Sequence, residues 1–292
     1  MPLSPKIVKK FQKQVLNFYF RNRRAFPWRP PLLPLQADDT LDPYRILVSE
    51  VMLQQTQVER VVPYFVSFME RFPTVGALSG ASVTEVLSVW QGLGYNRRAL
   101  NLKRAGEMID REWRGRFSRD AKTLATLPGV GPYTARAVVA FAWNIPEVLI
   151  ETNIRAVYLH LFFTKQEKVS DASILPLIFE TLPSKVQTFS QSRGESCSIR
   201  EWYYALMDYG SYLKKTIGNP NVRSKLHTKQ KPFHGSRREL RGEILRQVIE
   251  KGTITVSEMS LQKSNDHSLE EVFRELEGEG FLRRKGERFS VT

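Results

Sequence analysis

Cysteine is almost absent: Cys197 is the only one in 292 residues. A single thiol excludes intrachain disulfides and any multi-cysteine zinc or iron–sulfur site. Long apolar runs are missing too, with no window of about eighteen apolar residues that would cross a bilayer. Residues 1–20 mix lysines with aromatics and present no apolar stretch before a small-residue cleavage site. The expectation is a cytoplasmic, nucleoid-associated monomer without a membrane segment. Acid is in short supply, with 30 Asp+Glu against 44 Lys+Arg, a formal net charge of +14 and a pI near 9.9. The cations group as Arg97-Arg98, Lys103-Arg104, Lys214-Lys215, and Arg237-Arg238 with Arg241. Clustered positive charge favours a polyanionic partner, nucleic acid ahead of a membrane surface, over a surface charged only for solubility.

Strand-like alternation is also scarce in the first 215 residues. Helical periodicity runs through 5–20, 44–58, 60–72, 83–90, 96–111, 119–126, 133–143, 153–163, 172–181 and 200–213, with Pro, Gly, Ser or Asp at the boundaries. Pro30-Pro31-Leu32-Leu33-Pro34 with Asp38-Asp39 predicts an extended surface loop, and 218–235 a polar, basic linker. Beyond Ser236 the texture changes. A helix over 237–250, strand preference at Thr253-Ile254-Thr255-Val256, a helix near 268–277, and Phe281-Leu282-Arg283-Arg284 turning at Lys285-Gly286-Glu287 into Arg288-Phe289-Ser290-Val291 predict a small winged-helix-like module. The module contacts DNA on one reading and serves packing or dimerisation on the other.

Leu127-Pro128-Gly129-Val130-Gly131-Pro132-Tyr133-Thr134-Ala135 sets two glycines in a turn before an apolar helix. Glycine lets the chain turn tightly with its amides unshielded, and a helix N-terminus beside them makes a nest suited to a phosphate. Alone, a Gly-x-Gly before a helix is an ordinary helix-entry turn. Val48-Ser49-Glu50-Val51-Met52-Leu53-Gln54-Gln55-Thr56-Gln57 carries one acid, Glu50, among apolar neighbours. Burial raises a carboxyl pKa, so such a group can hold a proton near neutral pH and serve as a general acid. A solvated helix face is the plain alternative for a lone glutamate.

Phe26-Pro27-Trp28-Arg29, Asp42-Pro43-Tyr44, Ser49 through Gln57, Gln91-Gly92-Leu93-Gly94-Tyr95, the 127–134 hairpin and Leu206-Met207-Asp208-Tyr209-Gly210 occur in an order and spacing that resemble the MutY-type adenine DNA glycosylases. These belong to the helix-hairpin-helix, or endonuclease III, superfamily, and the resemblance covers roughly residues 5–215. It implies a mainly α fold. A glycosylase domain over 1–232 would comprise a middle helical subdomain (about 40–142) and a second built from 1–39 with 143–232, the DNA-facing cleft lying between them. The appended module would occupy 236–292. A base must leave the stack to be excised, so the implied enzyme flips it into a pocket. By resemblance Glu50 is the catalytic acid, with Tyr133 and Asn153 close to it. Trp28, Arg29 and Asp208 match the base pocket. Gln55, Thr56, Leu93 and Tyr95 match elements that enter the duplex and meet the opposite base, and Gly129, Val130, Gly131 and Thr134 match the backbone clamp. For Trp28, Leu93 and Tyr95, packing is the alternative.

Tyr133 stands where bifunctional relatives carry a Schiff-base lysine, so the resemblance implies a monofunctional hydrolase that leaves an abasic site. Adenine opposite guanine or 8-oxoguanine is the implied substrate. Hypoxanthine, or uracil or thymine opposite guanine, is the alternative, and a non-catalytic lesion sensor the reading from another class. The chain departs from the family in three places. Glu151 replaces the usual second aspartate in an Asp-Gly-Asn setting. This carboxylate would stabilise the oxocarbenium-like sugar, or cap the following helix, or do both. Lys214, Asn221, Ser224 and Gln230 fall near the places of four cluster cysteines, so no cofactor is expected. The basic loop 214–231, Arg223 included, is then free to meet phosphates. A monovalent cation at the hairpin remains compatible with the resemblance. The short 236–292 module replaces the larger domain that reads 8-oxoguanine.

Overall fold

The computed structural model describes residues 2–30, 40–183, 187–190, 195–228, 235–259 and 269–292. Most of the extended loop expected over 30–39 lies outside these residues, as do parts of the linker. The chain divides into two compact units, one of Met1–Leu47, Ser118–Ala125 and Val130–Lys229, the other of Val48–Phe117, Thr126–Gly129 and Gln230–Thr292.

The first unit is helical, with α1 (Pro5–Asn22), α7 (Ala121–Leu124), α8 (Pro132–Trp143), α9 (Thr152–Phe162), α10 (Asp171–Thr181) and α11 (Ile199–Thr216). Its centre is aromatic. Phe11 of α1 meets Tyr158, Phe162 and Trp202 edge-on, with ring centroids 5.2 to 5.6 Å apart, a geometry that adds to the area each ring buries. An antiparallel hairpin, β1 (Gln187–Ser190) with β2 (Glu195–Cys197), precedes α11. Ser198 caps that helix by accepting from Glu201 N at 3.2 Å. The hairpin escaped the sequence reading because its strands are too short to show alternation.

The second unit contains α3 (Val58–Arg71), α4 (Val75–Gly80), α5 (Val83–Trp90) and α6 (Arg97–Arg111). Val61, Phe65, Phe68 and Met69 form the buried stripe of α3, and Phe68 meets Trp90 at 6.0 Å. Ser82 and Glu85 make a capping box at the start of α5. Helix α2 (Pro43–Leu53) ends at Leu53, short of the continuous helix expected over 44–58. Residues 54–56 form a turn instead, with Gln55 in the left-handed region at φ 56°.

The C-terminal residues of the second unit run α12 (Arg237–Lys251), β3 (Thr253–Thr255), α13 (Leu269–Gly278), β4 (Leu282–Lys285) and β5 (Arg288–Val291). The sheet order is β3-β5-β4, all antiparallel, so the described residues form a winged-helix-like module of two helices and three strands. Phe273 packs on Phe289 at 4.7 Å. Among the described residues no helix is long and apolar enough to cross a membrane.

The expected linker is structured as far as residue 228. It forms a 3-10 turn at Pro220–Arg223 and a parallel bridge between Val169 and Ser224. Arg223 donates to the carbonyls of Phe163 (2.6 Å) and Leu159 (3.0 Å). Its guanidinium therefore caps the C-terminus of α9, where carbonyls lack helical partners. That corrects its reading as a phosphate contact.

Candidate active site

In the first unit the chemistry gathers where α9 begins. Glu151 is the N-cap, and its carboxylate accepts from the backbone N–H groups of Asn153 (2.8 Å) and Ile154 (2.8 Å), from Thr152 Oγ1 (3.1 Å) and from Asn153 Nδ2 (3.2 Å). The extra methylene relative to aspartate is absorbed by folding the side chain back onto its own helix end. The charge is thereby fixed at the positive end of the helix dipole. Glu151 remains part-exposed.

Three neighbours fix this helix end. Gly210 of α11 lies against it so closely that a Cβ would collide with the Asn153 carbonyl. Asn221 Nδ2 donates to Thr152 O at 2.9 Å. Lys214, one turn beyond Gly210, feels the Glu151 charge, and burial holds its ammonium pKa below the ordinary range while Glu151 opposes that shift.

The pocket residues form a second cluster in the same unit. Asp208 is buried, and both its oxygens are taken. Oδ1 accepts from Arg24 Nε (2.7 Å) and Arg29 Nη1 (3.0 Å), Oδ2 from Arg24 N (3.0 Å) and Arg29 Nη1 (3.1 Å). Arg29 lies over the rings of Tyr204 (4.3 Å) and Phe26 (4.9 Å), and Trp28 stacks on Phe26 at 5.2 Å. Arg29 Nε is buried without a hydrogen-bond partner among the described residues, a donor whose desolvation costs about 1–3 kcal/mol unless a ligand satisfies it. Arg24, absent from the sequence-derived site, is the residue that locks Asp208. Nothing in its basic, exposed-looking sequence context pointed inward.

Helix α8 starts at Pro132 behind an N-cap Gly131 that provides no side-chain acceptor. Tyr133 is part-exposed, while Thr134 and Val130 are buried. Gly129 takes the left-handed conformation at φ 75°, whereas Gly131 has φ −80°. A Cβ at Gly131 would meet nothing within 4 Å, so a backbone group can approach there closely.

In the second unit Glu50 is 8% exposed, and its chain neighbours Val48, Val51 and Met52 are buried as well. Immediately C-terminal to it, Arg98 closes the helix. Nη1 donates to the carbonyls of Val51 (3.0 Å), Met52 (2.6 Å) and Gln54 (2.6 Å), and Nη2 to Thr56 Oγ1 and Gly94 O (both 3.0 Å). Desolvation pushes the guanidinium pKa down to about 10. Arg98 was read only as half of a basic pair. Its signal was phase, since 98, 102, 105 and 109 share the buried stripe of α6.

The elements expected to enter the duplex lie on two turns of this unit. Gln55 is exposed and Thr56 part-buried. In the second turn Gly92, Gly94 and Tyr95 all have positive φ (92°, 82° and 49°). Tyr95 is part-exposed, whereas Leu93 is only 3% exposed and is packed inward in this conformation.

Residues 48–175 match the HhH-GPD superfamily of base excision DNA repair proteins. The chain is 32% identical over 254 residues to an adenine DNA glycosylase of Mycolicibacterium smegmatis, covering 85% of this chain and 83% of that protein. The chain belongs to the adenine DNA glycosylase family. Other family members align over less of their length. The adenine DNA glycosylase of Mycobacterium tuberculosis is 41% identical across 49% of this chain and 44% of its own, and the human one 37% identical across 51% and 28%. The fold is also that of a thermostable thymine-DNA glycosylase (TM-score 0.54, 23% identity, 70% of this chain and 87% of that one). A trapped endonuclease III–DNA covalent intermediate shares it (TM-score 0.51, 18% identity, 82% and 94%).

In this glycosylase the positions matching the family's cluster cysteines do not fit an iron–sulfur cluster. Lys214 offers an amine. Asn221 spends its amide on Thr152 and Asn219, and Ser224 Oγ accepts from Leu226 N at 3.1 Å; Gln230 lies outside the described residues. Cluster iron takes thiolates. Cys197, the one thiol, is buried before α11, and burial pushes its pKa far up.

Proposed function

We propose that this glycosylase hydrolyses the N-glycosidic bond of adenine opposite guanine or 8-oxoguanine in duplex DNA, acting as a monomer without lyase chemistry. The observation that carries the reading is the placement of Glu151, whose charge is fixed at a helix N-terminus beside Asn153. A carboxylate that cannot move away is what a developing positive charge on a sugar requires.

Glu50 donates its proton to N7 of the flipped adenine. The C1′–N9 bond then breaks, its electron pair leaving with the base, and the oxocarbenium-like sugar faces the negative charge of Glu151. Water adds to C1′ and gives its proton to the Glu50 carboxylate, which restores the acid. Arg29, Trp28 and Asp208 shape the base pocket, with Arg29 Nε as the donor awaiting a base acceptor. Tyr133 supplies no amine at the hairpin, so no Schiff base forms there.

The test is single-turnover excision on duplexes carrying adenine opposite guanine or 8-oxoguanine, and hypoxanthine, uracil or thymine opposite guanine, read with and without alkali. Strand breaks at adenine only after alkali are expected, and E50Q should bind duplex but lose excision by at least about 100-fold. Excision unaffected by E50Q would refute the assigned acid. Borohydride trapping of a covalent adduct, lost in K214Q, would refute the monofunctional reading.

A further inference from the structure

Helix α11 turns two buried carboxylates toward the segment 23–30, which carries the base pocket. Glu201 and Asp208 stand two helical turns apart, so both occupy one face of the helix. Asp208 holds Arg24 and Arg29 directly. Glu201, whose side chain is 2% exposed, reaches the segment through α1. Its Oε2 accepts the Tyr19 hydroxyl. One turn further on, at the C-cap of α1, Arg23 donates Nε to that hydroxyl (2.8 Å) and brings Nη2 within 3.6 Å of Glu201 Oε1. Burial, helped by the Glu201 charge, lifts the Tyr19 phenol far above its ordinary pKa, so it stays protonated and donates.

Arg23 also closes the segment on itself. Its Nη2 donates to Pro30 O at 2.5 Å, while Arg29 Nη1 donates back to Arg24 O at 3.3 Å. The first arginine therefore holds the last carbonyl, and Arg29 holds the second. Residues 23–30 contain neither helix nor strand, so their carbonyls have no ladder to join and these side-chain donors set the backbone path. Inside the staples lie Phe26, Trp28 and Arg29, with the stacked rings and the unpartnered Nε. A guanidinium so little exposed is tolerated only beside a carboxylate, and for Arg23 that carboxylate is Glu201.

We infer that Glu201, Tyr19 and Arg23 are positioning residues for the base pocket, fixing the segment 23–30 so that Trp28 and Arg29 are already in place when the extruded base arrives. The inference rests on the glycosylase reading for the identity of that pocket. Glu201 and Tyr19 act on the base only through Arg23 and the backbone it holds. A pocket set in advance spends less of its binding free energy on ordering side chains. Arginine suits the task because its fork donates in two directions at once, to the Tyr19 hydroxyl and to Pro30 O, which the point charge of a lysine cannot do.

The experiment measures affinity of the full chain for two duplexes by fluorescence anisotropy. One carries 2′-fluoro-2′-deoxyadenosine opposite guanine, its fluorine blocking excision by destabilising the cationic sugar; the other carries an abasic tetrahydrofuran at the same place. R23Q should weaken binding of the base-containing duplex about tenfold, the scale of ordering two side chains anew, and leave the abasic duplex within about twofold. R23K keeps the charge without the fork and should lose as much, and Y19F, which removes only the shared hydroxyl, should change the two duplexes in the same unequal way. R21Q, which removes an exposed charge two residues away, should keep the wild-type ratio. A partly unfolded protein would lose both duplexes alike, so the contrast isolates the pocket, and if R23Q does not fold, Y19F carries the same contrast. Equal losses on both duplexes, or wild-type affinity for both in Y19F and R23K, would overturn the inference. Binding needs no turnover, so a wild type that excises nothing while R23Q still loses only the base-containing duplex refutes the proposed reaction and leaves the positioning residues standing.

Discussion

Replacing Glu151 by serine separates its two roles. The carboxylate satisfies the first-turn amides of α9 at Asn153 and Ile154, so E151A removes a cap worth about 1 kcal/mol. The loss of an anion at the helix N-terminus adds about 0.3–1 kcal/mol. The sum, about 1–2 kcal/mol, lowers Tm by about 2–4 °C per kcal/mol for a domain of this size. Serine caps a helix as well as aspartate does, so E151S restores most of that loss while leaving no charge. If the charge faces the transition state, E151S should fall by about 100- to 1000-fold in single-turnover excision, the scale of one lost electrostatic stabiliser. E151D keeps both cap and charge and should excise faster than E151S, its own loss set by moving the charge about one C–C bond. Melting curves and excision rates on one duplex give the answer. An E151S protein that melts like wild type and excises within a few-fold of it would reduce Glu151 to a helix cap.

G210A should destabilise the first unit by about 3 kcal/mol or more, since its methyl collides with the Asn153 backbone; a melting temperature within 2 °C of wild type would refute the close approach. R98M leaves the carbonyls of Val51, Met52 and Gln54 without their donor and should cost about 3 kcal/mol or more in urea unfolding. An unchanged midpoint would show that the turn after α2 needs no such closure. Glu275 and Glu258 in the C-terminal module have carboxyl pKa values below the ordinary 4.5, through a hydrogen bond from Arg237 and one from the Thr255 backbone respectively. A lowered folded pKa gives stability that is present above the unfolded value and lost as pH falls through the folded one. The methyl signals of Ile254 and Val272, both buried there, should therefore report an earlier urea midpoint at pH 3 than at pH 7; equal midpoints would refute the contribution.

The sequence by itself determined the helical class, because periodicity, capping and turn chemistry are local properties of a few neighbouring side chains, while the order and spacing of its motifs carried the resemblance to the family and, through it, the residues to examine. The winged-helix-like module was equally legible, as its strands are bounded by the Lys251-Gly252 and Lys285-Gly286 turns. Local pattern could not show where a side chain's hydrogen bonds end, since the partners of Arg98, Arg223, Arg24 and Glu151 are chosen by the packing of whole helices. Arg98 and Arg223 looked like surface charge, and each caps a helix C-terminus. The end of α2 at Leu53 was hidden for the same reason, because the donor that closes it comes from a residue 44 to 47 positions away. Only the tertiary structure put Arg238 on Tyr95, 143 residues apart. A contact at that separation depends on how the module docks within its unit, and no sequence window contains it.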